Sequence, residues 1–203
     1  MEGKTVISEF IEKPVQSFFV NAGLSDENAQ QLSLVQDELV QVLPDVIWAS
    51  PRNALHITLV DLLSARVDYN ADKLQLFQSH FNEYDAALQD ILKDQHAIEV
   101  KFSQVKTTPE AIIIVGEDNG SFARIRNAFS ERVQLLSGTK PAPQIIHSSL
   151  CRYKQQADLE PIQEFVSKQR ISFTEHINSF RLTREVVWSL VQFELVKKYK
   201  LKA

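Results

Sequence analysis

Two short stretches constrain this chain more than anything else in it: His56-Ile57-Thr58-Leu59 and His147-Ser148-Ser149-Leu150. Both have the form His-x-Thr/Ser-Leu. Both lie in apolar runs with strand character, Ala54 to Val60 and Ile145 to Tyr153. Alternate residues of a strand point to opposite faces, so His56 shares a face with Thr58 and His147 with Ser149. The other face of each strand is left for the core. One His-x-Ser/Thr triplet is commonplace; two in the same context predict a paired site of two imidazoles and two hydroxyls.

Such a set suits phosphoryl chemistry without a metal. Imidazole titrates near neutrality, so one histidine can take a proton from water while the other protonates a leaving oxygen. Hydroxyls can donate to the non-bridging phosphate oxygens and hold the phosphorus in line. A positive charge is still needed. Arg52 stands four residues before His56, which is the same face if the strand extends past Pro51. Strict alternation turns Arg152 away from His147 and brings Cys151 and Tyr153 to the site face. Trp48, Phe18 and Tyr153 are the rings available to stack on a base, with Phe18 the best core candidate. Cys151 is not assigned as a nucleophile, because the two-histidine scheme needs none.

On these residues the chain resembles the 2H phosphoesterase superfamily, the LigT-like group that includes RNA 2′,3′-cyclic phosphodiesterases. The two tetrads stand 91 positions apart, a separation typical of that family. The resemblance covers roughly Val15 to Val196, but its specific motifs are the tetrads alone. It implies a bilobal α+β fold in which two antiparallel sheets line a central cleft, helices cover the outer faces, and each lobe carries one tetrad. It also implies a cyclic or 2′-linked nucleotide, or an RNA end, as substrate, and a basic residue near the site at the junction of the last two strands, where Arg184 stands.

Composition narrows the partners. A net charge of −4 over 203 residues argues against broad binding to long nucleic acid and leaves room for a small nucleotide or a single-stranded RNA end in a locally basic cleft. Cys151 is the only cysteine, so no intramolecular disulfide can form and a reducing compartment is expected. No apolar run reaches membrane-spanning length, and no charged-then-apolar leader opens the chain, which makes the cytoplasm the simplest assignment. No Cys/His or His/Asp cluster has metal-ligand spacing, so neither metal nor cofactor is expected. His80, His96 and His176 read as ordinary. Gly-rich phosphate loops, Gly-x-Ser-x-Gly elbows and kinase signatures are absent from the sequence.

The rest of the chain reads as one bilobal domain over residues 1–203. A short amphipathic piece around Val6 and Phe10 precedes a strand from Val15 to Asn21. A helix capped by Ser25 or Asp26 follows, then a brief strand from Val46 to Trp48 and the first tetrad strand. Leu74, Phe77, Phe81, Tyr84, Leu88 and Ile91 step at helical spacing. A hairpin around Thr107 to Glu110 leads to a helix through Phe122 and Phe129. The loop from Ser137 to Pro143 is expected to deliver the second tetrad beside the first strand. A short helix from Asp158 and two strands, Ile171 to Leu182 and Glu185 to Val196, complete the fold, with Lys197 to Lys200 a solvated tail. Two function classes fit this layout: a metal-independent phosphodiesterase, and a module that binds a nucleotide or RNA end without turnover.

Overall fold

The computed structural model describes residues 3–203. Its elements run β1 (Pro14–Gly23), α1 (Asp26–Val42), β2 (Ile47–Ala49), β3 (His56–Leu63), α2 (Lys73–Leu92), β4 (Ile98–Thr107), β5 (Ala111–Glu117), α3 (Ser121–Arg132), β6 (Ile146–Tyr153), α4 (Leu159–Ser167), β7 (Phe173–Ile177), β8 (Ser179–Val187) and β9 (Gln192–Lys200). The strands form two antiparallel sheets, ordered β3-β1-β8-β9 and β2-β6-β5-β4-β7. The α+β class and the pair of sheets anticipated above are both present.

Local chemistry explains the boundaries. Ser25 caps α1, its hydroxyl accepting from the Asn28 N–H, and the buried Glu175 of β7 accepts from the Ser25 N–H, the Ser25 hydroxyl and Asn28 Nδ2. That carboxylate ties the start of α1 to the second sheet. Asp118 does the same work for α3, accepting from the Gly120 and Phe122 N–H groups, while Gly120 takes the left-handed φ of 86° that closes the turn.

The connections cross between layers. Helix α1 follows a strand of the first sheet but packs on β2 and β6 of the second; α3 follows β5 of the second sheet but packs on α2 and β3. The helices lie away from the space between the sheets. Phe77 of α2, for example, stacks on Phe18 at 3.9 Å, while Phe19, the next residue of β1, faces the opposite side. One contiguous apolar cluster includes residues from both sheets and all four helices.

Three expectations are corrected here. The tetrad strands face each other across a cleft between the two sheets, as the resemblance implies, but they are not neighbours in one sheet: β3 is an edge strand of the first and β6 lies inside the second. The last segment holds three strands, because the chain turns at Asn178, and Arg184 falls in the middle of β8 instead of at a junction. Lys197 to Lys200 belong to β9, where Lys197 Nζ and the Tyr199 hydroxyl both donate to Asp85 of α2. Ahead of β1, Thr5, Val6 and Ser8 donate backbone N–H groups to the carbonyls of Ala157, Pro109 and Tyr153.

Candidate active site

A bulge closes each tetrad, and the two bulges decide what surrounds the histidines. In β3, Thr58 pairs with Asn21 and Val60 with Val20, so Leu59 is the extra residue. In β6, Ser149 pairs with Ile113 and Cys151 with Ile112, so Leu150 is extra. A bulge shifts alternation by one. Leu59 and Val60 therefore both face the core, and Asp61 returns to the cleft; Leu150 and Cys151 both face the core, and Arg152 returns. The Leu150 carbonyl, displaced from the ladder, accepts from the Ser50 N–H and from Gln36 Nε2 of α1.

The cleft between the sheets holds about 480 Å³, and His56, Thr58, His147, Ser149 and Arg152 all line it. His56 and His147 reach this space from the two different sheets. Neither tetrad hydroxyl has a hydrogen-bond partner among the described residues, so both are free toward the cleft. Arg152 likewise makes no hydrogen bond, and its Nε is buried without a partner. A guanidinium left open beside two imidazoles and two hydroxyls has the donor geometry and charge that suit an oxyanion.

Protonation follows from the surroundings. His56 Nδ1 donates to the Ala54 carbonyl at 2.7 Å, which leaves Nε2 as the ring's open acceptor. Burial lowers its pKa to about 4; the Ala54 contact opposes this, while Arg181, Arg152 and His147 add to it. Burial also lowers His147, with Arg152 and Arg126 contributing, and the Ile145 carbonyl works against them. No closed hydrogen bond forms at His147 Nδ1, so this ring is held less firmly than His56.

Three carboxylates line the cleft: Glu110, which pairs with Arg66 at 2.9 Å, Glu185 and Asp61. Glu185 accepts from the Ser17 hydroxyl at 2.7 Å and the Leu190 N–H at 2.9 Å. Asp61 makes no hydrogen bond among the described residues. Burial raises the pKa values of Asp61 and Glu185, while Lys140 opposes the shift on Asp61, and Ser17, the Leu190 N–H and Arg152 oppose it on Glu185. Behind the tetrads, Arg126 of α3 is buried and donates to the Thr58 carbonyl at 2.7 Å, the Leu59 carbonyl at 3.0 Å and the Ile145 carbonyl at 3.4 Å. One guanidinium thus ties the first bulge to the start of the second tetrad strand. Arg181 of β8 donates to Asn21 Oδ1 and rests against Gly23, the cross-strand partner of His56. A Cβ at Gly23 would come within 2.6 Å of that guanidinium.

The sequence-derived binding set needs revision. Tyr153 faces the core and is fully buried, because the bulge at Leu150 reverses the alternation that put it on the site face. Cys151 is buried for the same reason, and burial pushes its thiol up to about 12. Arg184 pairs with Glu194 at 3.1 Å and stands opposite Phe18, on the face of the sheet turned from the cleft. Arg52 turns back to α1, donating to Gln30 and to the Asp26 carbonyl. Trp48 shares a face with its partner Arg152 but sits on the edge strand and donates to Glu12, outside the cleft lining. The cations near the tetrads are instead Arg152, Arg181 and Arg126. Among the described residues, no three His, Cys, Asp or Glu side chains converge in a metal-binding set, and no helix is long and apolar enough to cross a membrane.

Comparisons with known proteins were informative only at the level of structure. A scan against protein-family models and a search of curated proteins both return no match. Among solved structures, the TT0787 protein of Thermus thermophilus superposes with a TM-score of 0.65 at 16% identity, covering 92% of this chain and 98% of its own. LigT of E. coli, solved with 3′-AMP, gives 0.65 at 15% identity, covering 93% and 99%. The MHV ns2 PDE domain gives 0.52 at 15%, covering 92% and 99%. The chain has the fold of E. coli LigT and of these related structures.

Proposed function

We propose that this protein is a metal-independent phosphodiesterase of the 2H type, acting on 2′,3′-cyclic phosphate ends of nucleotides or RNA or on a related 2′–5′ linkage. The observation that carries the reading is the convergence of His56, His147, Thr58, Ser149 and the unpartnered Arg152 on one cleft. The phosphate anion lies against Arg152, with the Thr58 and Ser149 hydroxyls donating to its non-bridging oxygens. His56, neutral and with Nε2 open, takes a proton from water as the water oxygen bonds to phosphorus. The bond from phosphorus to one ribose oxygen breaks, and His147 delivers its proton to that oxygen. The product is a phosphomonoester with one molecule of water added, and proton exchange with solvent resets the histidines.

The lower pKa and fixed tautomer of His56 support its role as base, and the looser His147 is the acid. The 3′-AMP bound in the LigT structure supports a nucleotide as ligand. The lone, buried Cys151 supports a cytoplasmic setting. The test is incubation with 2′,3′-cyclic nucleotides and 2′–5′ oligoadenylates in the presence of a chelator. Turnover to a monoester is expected. Binding without turnover would instead make the protein a nucleotide-binding module, and activity lost to EDTA and restored by a divalent ion would refute metal independence.

A further inference from the structure

The cleft does not end at the tetrads. Directly paired residues of neighbouring strands share a face, and the register carries that face outward: Ser149 of β6 pairs with Ile113 of β5, and Ile113 pairs with Lys106 of β4. In the next row His147 pairs with Val115, and Val115 with Gln104. Lys106 thus lies two strands from Ser149 on the surface that carries the site, about 10 Å away at the usual strand spacing. Lys106 and Gln104 are both exposed.

Beyond β4 the sheet has an open edge. Strand β7 pairs with β4 only up to Phe102, so Ser103 to Thr107 have β5 on one side and no strand on the other. Their outward N–H and C=O groups meet a groove of about 900 Å³ between β4, α4 and residues 169–172. Lys106, Arg170, Gln104, Gln163, Gln169 and Thr107 are among its lining residues, and no carboxylate is. Arg170 Nη1 is held by the Ser167 and Gln169 carbonyls at 2.8 and 3.2 Å, which fixes the guanidinium at the groove and leaves its other donors free. Groove and cleft abut at the β4–β5 hairpin, where Thr107 lines one and Thr108 the other.

We propose that this groove is a subsite for single-stranded RNA, taking the phosphodiester backbone of the chain that precedes the terminal phosphate held between the tetrads. The inference rests on the phosphodiesterase reading and sharpens it: the preferred substrate is an RNA end and not a mononucleotide. Two cations with no carboxylate among them attract a polyanion, and the glutamines, threonine and open backbone N–H groups donate to phosphate and sugar without reading sequence. The separation of Lys106 from Ser149 is one that about one or two nucleotides span. An extended peptide could also pair with the free edge, but it would leave Lys106 and Arg170 uncompensated.

The test compares kcat/KM for a 2′,3′-cyclic mononucleotide with that for single-stranded oligoribonucleotides of two to six residues ending in the same group. Wild type is set against Lys106→Glu, Arg170→Glu and the double variant. The same proteins are titrated with a labelled oligoribonucleotide bearing a 3′-phosphate, so that binding is read whether or not turnover occurs. Oligomers should be preferred in wild type, and the double variant should lose about tenfold or more in oligomer affinity and kcat/KM while the mononucleotide stays within about twofold. The dependence of log affinity on log salt should flatten by about 0.7 for each cation removed. Equal kinetics for mononucleotide and oligomer, or oligomer affinity that survives charge reversal, would overturn the subsite. Turnover of neither substrate class would refute the phosphodiesterase reading, and the titration would still decide whether the groove holds RNA.

Discussion

His56 and His147 both lose affinity for the proton to burial and to Arg152, and that shared cause fixes how the rate should depend on pH. The ratio kcat/KM reports the free enzyme, where His56 titrates at about 4 and His147 below its ordinary value. Its bell should therefore peak on the acid side of pH 6.5, the ordinary histidine value, with limbs that belong to the coupled pair. A bound phosphate anion offsets Arg152 and raises both rings, so the optimum for kcat should lie at higher pH than that for kcat/KM. Parallel pH–rate profiles of the two constants check this; coincident profiles would contradict it. Arg152→Ala should cost about 10²- to 10³-fold, as loss of a charge-stabilising donor does, whereas Arg184→Ala and Arg52→Ala should leave kcat/KM within about twofold. Tyr153→Phe should also spare activity. It should stabilise the fold by about 1 kcal/mol, since the Tyr153 hydroxyl is buried with no partner; thermal denaturation alongside initial rates reads both effects. The tetrads were legible because a period of two suffices to place a histidine and the hydroxyl two residues on. Tyr153 and Arg152 were not, because one extra residue at Leu150 exchanges the faces of everything after it, and nothing in the composition of Leu150-Cys151 marks a bulge.

At the scale of elements, both lobes use the same device. Each tetrad ends in a leucine that forms the bulge, and the residue five places past each histidine re-enters the cleft: Asp61 in one lobe, Arg152 in the other. The two lobes are thus alike in backbone geometry as well as in their tetrads, while the charges at equivalent positions are opposite. Arg126 joins the halves by serving three carbonyls, two of them at the first tetrad and its bulge. Arg126→Ala should cost about 1–3 kcal/mol for each carbonyl left dry, with activity falling under conditions where the variant is still folded, because both tetrad strands lose their common tether. Chemical denaturation paired with activity measured well below the transition checks this; unchanged stability would remove Arg126 from the account. Helix α3 was legible from Phe122, Ile125 and Phe129, but its inward arginine was not, since an arginine on an amphipathic helix ordinarily faces solvent. Likewise the final strands were run together in sequence because no glycine or proline marks the turn at Asn178, and that misplaced Arg184.

For the whole molecule, the cleft holds groups whose protonation is displaced in opposite directions, and stability should follow. Asp61 has a folded pKa raised above its unfolded value, so it costs stability as pH rises through that range; His56 is depressed, so it costs stability as pH falls from about 6.5 toward 4. Asp61→Asn should therefore be more stable than wild type at neutral pH, with the gain vanishing below about pH 4, where the carboxyl is protonated in both states. Denaturation midpoints across pH 3 to 8 check the sign. The central claim concerns the chemistry between the sheets, and it is tested most directly by turnover of a 2′,3′-cyclic nucleotide, with chelator present, by His56→Ala, His147→Ala and the double variant. Each single replacement should cost about 10²- to 10⁴-fold, and the double should cost far less than the product of the two, because the histidines act as a unit. Near-full activity of folded His147→Ala would contradict the two-histidine mechanism.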